Sequence, residues 1–241
     1  MLHEVIAKQK PSSEKDKSNL LQDLKEINRA SPYHYIDYYI ALFYFRIYSG
    51  KENRNKTVTW LEKASNAGNS LAMCALGEGY SCGRIPFTQS HIKANQLLTC
   101  AANKGNAVAC HLLGHAYRKG TGNLVINHKS CVELWKQSAS QGYILAQHDL
   151  AAMYLAGSPS IPRDRHLHFS WSLAAAEQGH GNALLINITS NSQMQIAVKC
   201  MDEVGICYMK KACAKKGLKW FARAAAKGQK RSQYSLIKMN T

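Results

Sequence analysis

The chain has 241 residues, 46% hydrophobic and 9% aromatic, with 31 Lys and Arg against 15 Asp and Glu, a formal net charge of +16. That length holds one or two domains, and Met1-Leu2-His3-Glu4 lacks the basic start and long apolar run of a cleavable secretory signal. Glu4, Glu14 and Asp16 count against a mitochondrial import sequence, and the seven acids spread over residues 51–189 are too sparse to suggest carboxylate catalysis.

Residues 1–19 are polar and charged around Pro11-Ser12-Ser13 and read as a flexible N-terminal arm. Residues 20–52 read as a degenerate capping helix pair: a helix over 20–29, a turn at Ser31-Pro32, then an aromatic-dense stretch from Tyr33 to Tyr48 closed by Gly50. That stretch is too short and too rich in hydroxyls to span a membrane. It predicts a core helix of an N-terminal cap, with an exposed aromatic binding patch as the alternative.

A repeat follows. Gly68, Gly105, Gly142 and Gly179 stand 37 residues apart, and Ala72, Ala109, Ala146 and Ala183 keep the same step. So do Tyr80, Tyr117 and Tyr154, and Gly83, Gly120 and Gly157. Several ladders locked to one period in the range of 20–50 residues mark stacked structural repeats, and the unbroken step argues for one elongated domain. Each unit reads as two helices. Asn53, Ser90, Asn127 and Asp164 are in register as N-caps, because a side-chain oxygen there accepts from the free N–H groups of a first turn. Helix A then carries the large anchors Trp60, Leu97, Leu134 and Trp171, with small Ala64, Ala101, Ser138 and Ala175 four residues on. The Gly68 series ends helix A in the left-handed conformation. Helix B opens near the Ala72 series and runs through Leu76, Leu113 and Leu150 to Gly77, Gly114 and Ala151, where a minimal side chain permits a close helix crossing. This divides the chain into repeats over 53–89, 90–126 and 127–163.

Beyond Gly179 the register breaks. Val204-Gly205-Ile206-Cys207-Tyr208 matches a helix B core, and Trp220 with Arg223–Gly228 matches a helix A, if 17 residues are inserted and five deleted. Residues 164–215 therefore read as an interrupted fourth repeat, with the polar stretch Thr189–Gln193 in the insertion. Residues 216–241 read as a partial basic C-terminal repeat or cap.

The strings Trp60-Leu61-Glu62-Lys63-Ala64, Leu113-Gly114-His115-Ala116-Tyr117-Arg118-Lys119-Gly120 and Ala174-Ala175-Ala176-Glu177-Gln178-Gly179 resemble the Sel-1-like repeat, a relative of the tetratricopeptide repeat. The resemblance implies an all-α, right-handed α-solenoid of antiparallel helix pairs, and a non-catalytic scaffold for protein partners rather than an enzyme. It further implies a concave face lined by exposed helix A side chains. Here these are Thr59, Lys63, Asn66, Gln96, Asn103, Glu133, Gln137, Ser140, Ser170 and Glu177, a mixed and largely uncharged set suited to an extended or helical peptide. Some family members carry a disulfide across each hairpin. In this chain Cys100 and Cys110 flank one hairpin turn, whereas Cys74, Cys82, Cys131, Cys200, Cys207 and Cys213 have no partner at the repeat spacing. Irregular placement suggests reduced thiols in a cytosolic compartment. The chain is expected in the cytoplasm, or exported without a cleavable Sec signal, and proteins of this kind include bacterial host-interaction factors.

Charge supplies a second reading. Residues 190–241 hold eleven Lys and Arg against two acids. Lys210, Lys211, Lys215, Lys216, Lys219, Arg223, Lys227, Lys230 and Arg231 form either a solvated basic cap or a contact for an acidic protein, a membrane or nucleic acid. Aromatics are too sparse there to stack bases, which counts against nucleic acid.

Reactive centres are harder to find. His111 and His115 stand four apart on helix B and could share a face as zinc ligands do, but no glutamate follows His111 as the metalloprotease arrangement requires. His148, one repeat on, would stand about 10 Å away across packed helices. Arg165-His166-Leu167-His168 opens a helix A, where neighbouring side chains diverge. No nucleophile elbow, P-loop or dinucleotide fingerprint is present. No catalytic, metal or cofactor residue is assigned, and a redox or metal factor built on Cys100, Cys110, His111 and His115 is the third possibility.

Overall fold

The structure, a computed structural model, describes residues 14–30, 34–47, 51–83, 86–181, 201, 203–206, 214–227, 229–230 and 232–233. These residues are almost entirely helical: α1 Glu14–Ala30, α2 His34–Ile47, α3 Lys51–Asn66, α4 Ser70–Cys82, α5 His91–Asn103, α6 Ala107–Lys119, α7 His128–Ser140, α8 Ile144–Ala156, α9 Arg165–Gly181 and α10 Ala214–Ala226. The sole β feature among them is an isolated bridge between Ser158 and Ile161. Two compact units are distinguished, 1–125 and 126–241, where the unbroken period had suggested one domain. Contacts in a repeat array join neighbours only, so such a chain divides readily at an inter-helix loop.

Within the first unit each helix packs on the next from α1 to α6; within the second, α7 packs on α8 and α8 on α9. The hairpin turns explain the glycine ladder. Gly68, Gly105 and Gly142 take φ of +90°, +81° and +84°. The residue after each glycine donates its N–H five residues back: Asn69 to Ala64 C=O at 3.0 Å, Asn106 to Ala101 at 3.1 Å and Tyr143 to Ser138 at 3.3 Å. This six-to-one bond closes a helix by the Schellman arrangement and needs a left-handed residue at the turn. The same bond closes α10, from Gln229 N–H to Ala224 C=O at 3.1 Å. The acceptor residues are the small-residue ladder itself: Ala64, Ala101, Ser138 and Ala224 are fully buried. In α3, α5, α7 and α10, one position thus supplies both a fully buried small residue and the capped carbonyl.

Several expectations need correction. The helix read over 20–29 begins at Glu14, inside the segment read as an arm. Asn53 is not a cap: α3 starts at Lys51, and its first turn is held by Lys56 Nζ to Glu52 Oε1 at 2.7 Å. Ser90, Asn127 and Asp164 do cap, accepting from Lys93, Ser130, and both His166 and Leu167 N–H groups. Gly179 does not end its helix, since α9 continues to Gly181. The large anchors Trp60, Leu97, Leu134 and Trp171 are only half-buried. The core is built one residue later, by Leu61, Leu98 and Trp135, none more than 5% exposed. Successive helical residues point 100° apart, so the residue directly facing the B helices is the one four before the small-residue ladder's successor, not the larger neighbour. The aromatic-dense stretch is a core helix as expected, with Ile36, Ile40, Ala41, Phe43 and Tyr44 buried, although Tyr35 and Phe45 are exposed. The inserted stretch 189–193 lies outside the described residues.

Candidate interaction surface

The packing that buries one face of each A helix turns the opposite face outward. On α3 and α5 of the first unit, Thr59, Lys63, Asn66, Gln96 and Asn103 are all exposed. On α7 and α9 of the second, Glu133, Gln137, Ser140, Ser170 and Glu177 are likewise exposed. Several are already engaged locally. Thr59 Oγ1 donates to Asn55 C=O at 3.2 Å, Ser140 Oγ to Gln137 C=O at 2.9 Å and Ser170 Oγ to Leu167 C=O at 3.1 Å. Lys136 Nζ donates to Glu133 Oε1 at 3.1 Å, a hydrogen bond that raises the Lys136 pKa. Gln96, Asn66 and Asn103 bring amide groups that both donate and accept.

Lys63 does something the sequence did not suggest. Its Nζ lies 2.9 Å from Oδ1 of the buried Asp37 and 4.8 Å from the Trp60 ring centroid. Asn28 Nδ2 donates to the same oxygen at 2.7 Å. Asp37 thus ties α1, α2 and α3 together, and Lys63 serves this clamp as well as the surface. A lone acid within the apolar run from Tyr33 to Tyr48 was the available signal, because buried carboxylates require partners.

The basic residues fall on one side of α10. Its apolar side is used up in a core of Ile144, Ala175, Ala176, Met201, Val204, Trp220 and Ala224. Lys216, Lys219 and Lys227 are exposed, and the Arg223 guanidinium lies over the Trp220 ring at 4.7 Å. At 100° per residue Lys216, Lys219 and Arg223 share an arc of about 60°, and Lys227 stands one residue past the helix end. Lys230 is exposed beyond the helix end. Lys210, Lys211 and Arg231, and the side chain of Lys215, lie outside the described residues. Trp220 and Phe221 are buried, so neither offers an open ring to a base.

The cysteine chemistry is quiet. Cys74, Cys82, Cys100 and Cys110 are free thiols; Cys100 is exposed and Cys110 buried, and no bond joins them. Burial pushes the Cys74 thiol up to about 12, with the Glu78 charge adding to it, and burial raises Cys110 as well. Cys200, Cys207 and Cys213 lie outside the described residues. His111 and His115 do share a face, with Nε2 atoms 3.2 Å apart. His166 is exposed while His168 is buried, its Nδ1 2.9 Å from Ala151 C=O, so these two diverge as expected. No helix among the described residues is long and apolar enough to cross a membrane.

The Sel1 repeat family model matches residues 37–69, 70–106, 107–143, 144–180 and 200–229. Its unit runs from a B helix to the following A helix, whereas the reading from caps cut the same array before each A helix. Two of the five copies lie where the sequence had shown a cap or a broken register. The first pairs α2 with α3, and the last includes Gly205 and α10. Among solved structures, the chain is similar to a protective antigen present in uropathogenic Escherichia coli strains, which displays an SLR fold, at 24% identity and a TM-score of 0.69. That match covers 90% of this chain but 43% of the antigen, so the chain spans less than half of that protein's length. A Sel1 repeat protein from Oxalobacter formigenes is 21% identical with a TM-score of 0.68, covering 88% of this chain and 80% of its own. A putative Sel1 repeat protein from Klebsiella pneumoniae subsp. pneumoniae is 15% identical with a TM-score of 0.50, covering 92% and 99%. No curated protein matches the chain.

Proposed function

Because the chain belongs to the Sel1 repeat family, whose members are generally protein-interaction scaffolds and typically non-catalytic, we propose that it is an adaptor whose exposed A-helix side chains hold a segment of a protein partner. The observation that carries this reading is the outward-facing series Thr59, Lys63, Asn66, Gln96, Asn103, Glu133, Gln137, Ser140, Ser170 and Glu177, which recurs at the repeat spacing without a concentration of one charge. Amide and hydroxyl groups of this kind suit the backbone of an extended peptide or the polar edge of a helix. Free thiols among the described residues support a reducing compartment such as the cytoplasm. Composition and family resemblance together favour a bacterial factor, one directed at a host included.

The three cations on one side of α10, with Lys227 just past its end, favour a second reading, in which that face recruits an acidic partner. The two are separated by capture with the full chain and with the quadruple variant Lys216→Gln, Lys219→Gln, Arg223→Gln, Lys227→Gln, at rising salt. A partner held by the A-helix series is retained by the variant and changes little with salt. A partner held by charge is lost from the variant and weakens by orders of magnitude between about 50 and 200 mM salt. Loss of capture on replacing Gln96, Asn103 and Gln137 by alanine together supports the first reading; full retention overturns it.

A further inference from the structure

We propose that His111 and His115 form a two-imidazole chelate for a divalent transition-metal ion of the zinc class on α6. Residues four apart on a helix leave the same face one turn apart, and here the two Nε2 atoms stand 3.2 Å from each other. With Zn–N bonds of about 2.0–2.1 Å, that separation subtends roughly 100° at a shared ion, between the octahedral and tetrahedral angles. The ring centroids are 4.6 Å apart and the planes cross at 86°. A straight N–H···N hydrogen bond would set the centroids further apart than the nitrogens by a full ring radius at each end. The observed spacing falls short of that, so the contact is bent and the pair is held near a chelate's bite rather than in a head-on bond.

The repeat offers an internal comparison. At the positions of His111 and His115 the preceding unit has Cys74 and Glu78, and the following unit His148 and Ala152. Both neighbouring units form the same B helix without a histidine pair, so the fold does not require one. His111 is buried and anchors the site, while His115 is half-buried and gives it an opening. Both rings would ligate through Nε2. Imidazole is a good ligand for zinc, nickel, copper and cobalt ions alike.

Titration of the full chain with Co2+ alone tests this, read by visible absorption, with Zn2+ competition giving the affinity. The wild type takes up one ion at this pair, and His115→Ala binds it about 10²-fold more weakly, the advantage a second ligand on one rigid element confers. His166→Ala, which removes an exposed histidine elsewhere, leaves the titration unchanged. His115 is chosen because it is only half-buried, and circular dichroism checks that the variant keeps its helices. Equal binding by wild type and a folded His115→Ala, whether through Cys82, Cys100 or another histidine, overturns the proposal. So does a wild type that takes up no ion.

Discussion

Gly205 lies against the ring of Phe221 so closely that a Cβ on the glycine would come within 2.8 Å of Phe221 Cε1. Gly77 meets Leu98 in the same way, with a Cβ 2.8 Å from Leu98 Cγ and 3.3 Å from Ala94 C=O. In both places a B helix seats on the buried anchor of the following A helix, which makes the pairing of 203–206 with α10 a unit of the same kind as α4 with α5. Alanine is favoured over glycine in a helix by about 1 kcal/mol, yet here the added atom meets the branch point of a buried side chain. Gly77→Val should therefore lower stability by about 1–3 kcal/mol through overpacking, measured as a shift in the urea midpoint followed by circular dichroism. A midpoint equal to the wild type's would mean that the crossing is looser than described.

The correction in register makes a sharper prediction. Trp135 is 1% exposed while Leu134, which the sequence pointed to, is half-buried. Trp135→Ala should cost about 3–5 kcal/mol, as removal of a fully buried aromatic does. Leu134→Ala should cost clearly less. Thermal unfolding of the two variants side by side decides the matter, and the reverse order would restore the original ladder.

Thiol reactivity reports the same packing. Among the described thiols, Cys82 and Cys100 are exposed, and Cys74, Cys110 and Cys131 buried. Peptide mapping after a short pulse of a thiol reagent on the native protein should find Cys82 and Cys100 modified and the other three protected until the fold opens. The shift of Cys74 also fixes a sign. Its pKa is raised from 9.0 to about 12, so the folded chain holds that proton more tightly than the unfolded chain. The contribution is fully present below pH 9.0 and disappears as pH rises toward about 12. Stability should fall across that window, and Cys74→Ala should flatten the fall.

Much of this architecture was legible in the sequence because the hairpin turns impose backbone demands. Only glycine readily takes the conformation at Gly68, Gly105 and Gly142, and the carbonyl beneath each turn lies on a residue small enough to be fully buried. Those requirements repeat at fixed intervals. Hydrophobicity does not separate neighbours such as Leu134 and Trp135, which differ by 100° in direction but little in apolar character. The first copy was read only as a degenerate capping pair over 20–52, cut differently from 37–69, for a related reason. Ile40-Ala41 and Tyr44 repeat the pattern of Leu76-Gly77 and Tyr80, but one residue out of period and with alanine in the glycine's place. Ala41 is nonetheless fully buried in a cluster with Leu61, Ala64, Ala72 and Leu76. The surface was legible as a ladder of outward positions, whereas the tie from Lys63 to Asp37 was not, since it joins residues 26 apart across two helices.

If the chain is built from interchangeable helix pairs, one of them should be removable in register. Deletion of Ser70–Asn106, one full family unit, would let Asn69 precede Ala107 and bring α3 against α6 with equivalent anchors. Unfolding of that shortened chain, followed by circular dichroism against urea, is the direct measurement. A helical protein with a cooperative transition is the expected result, since stability in such arrays is approximately a sum of unit and neighbour terms. A chain that loses its helicity, or melts without a transition, would contradict the repeat as the organising element of this protein.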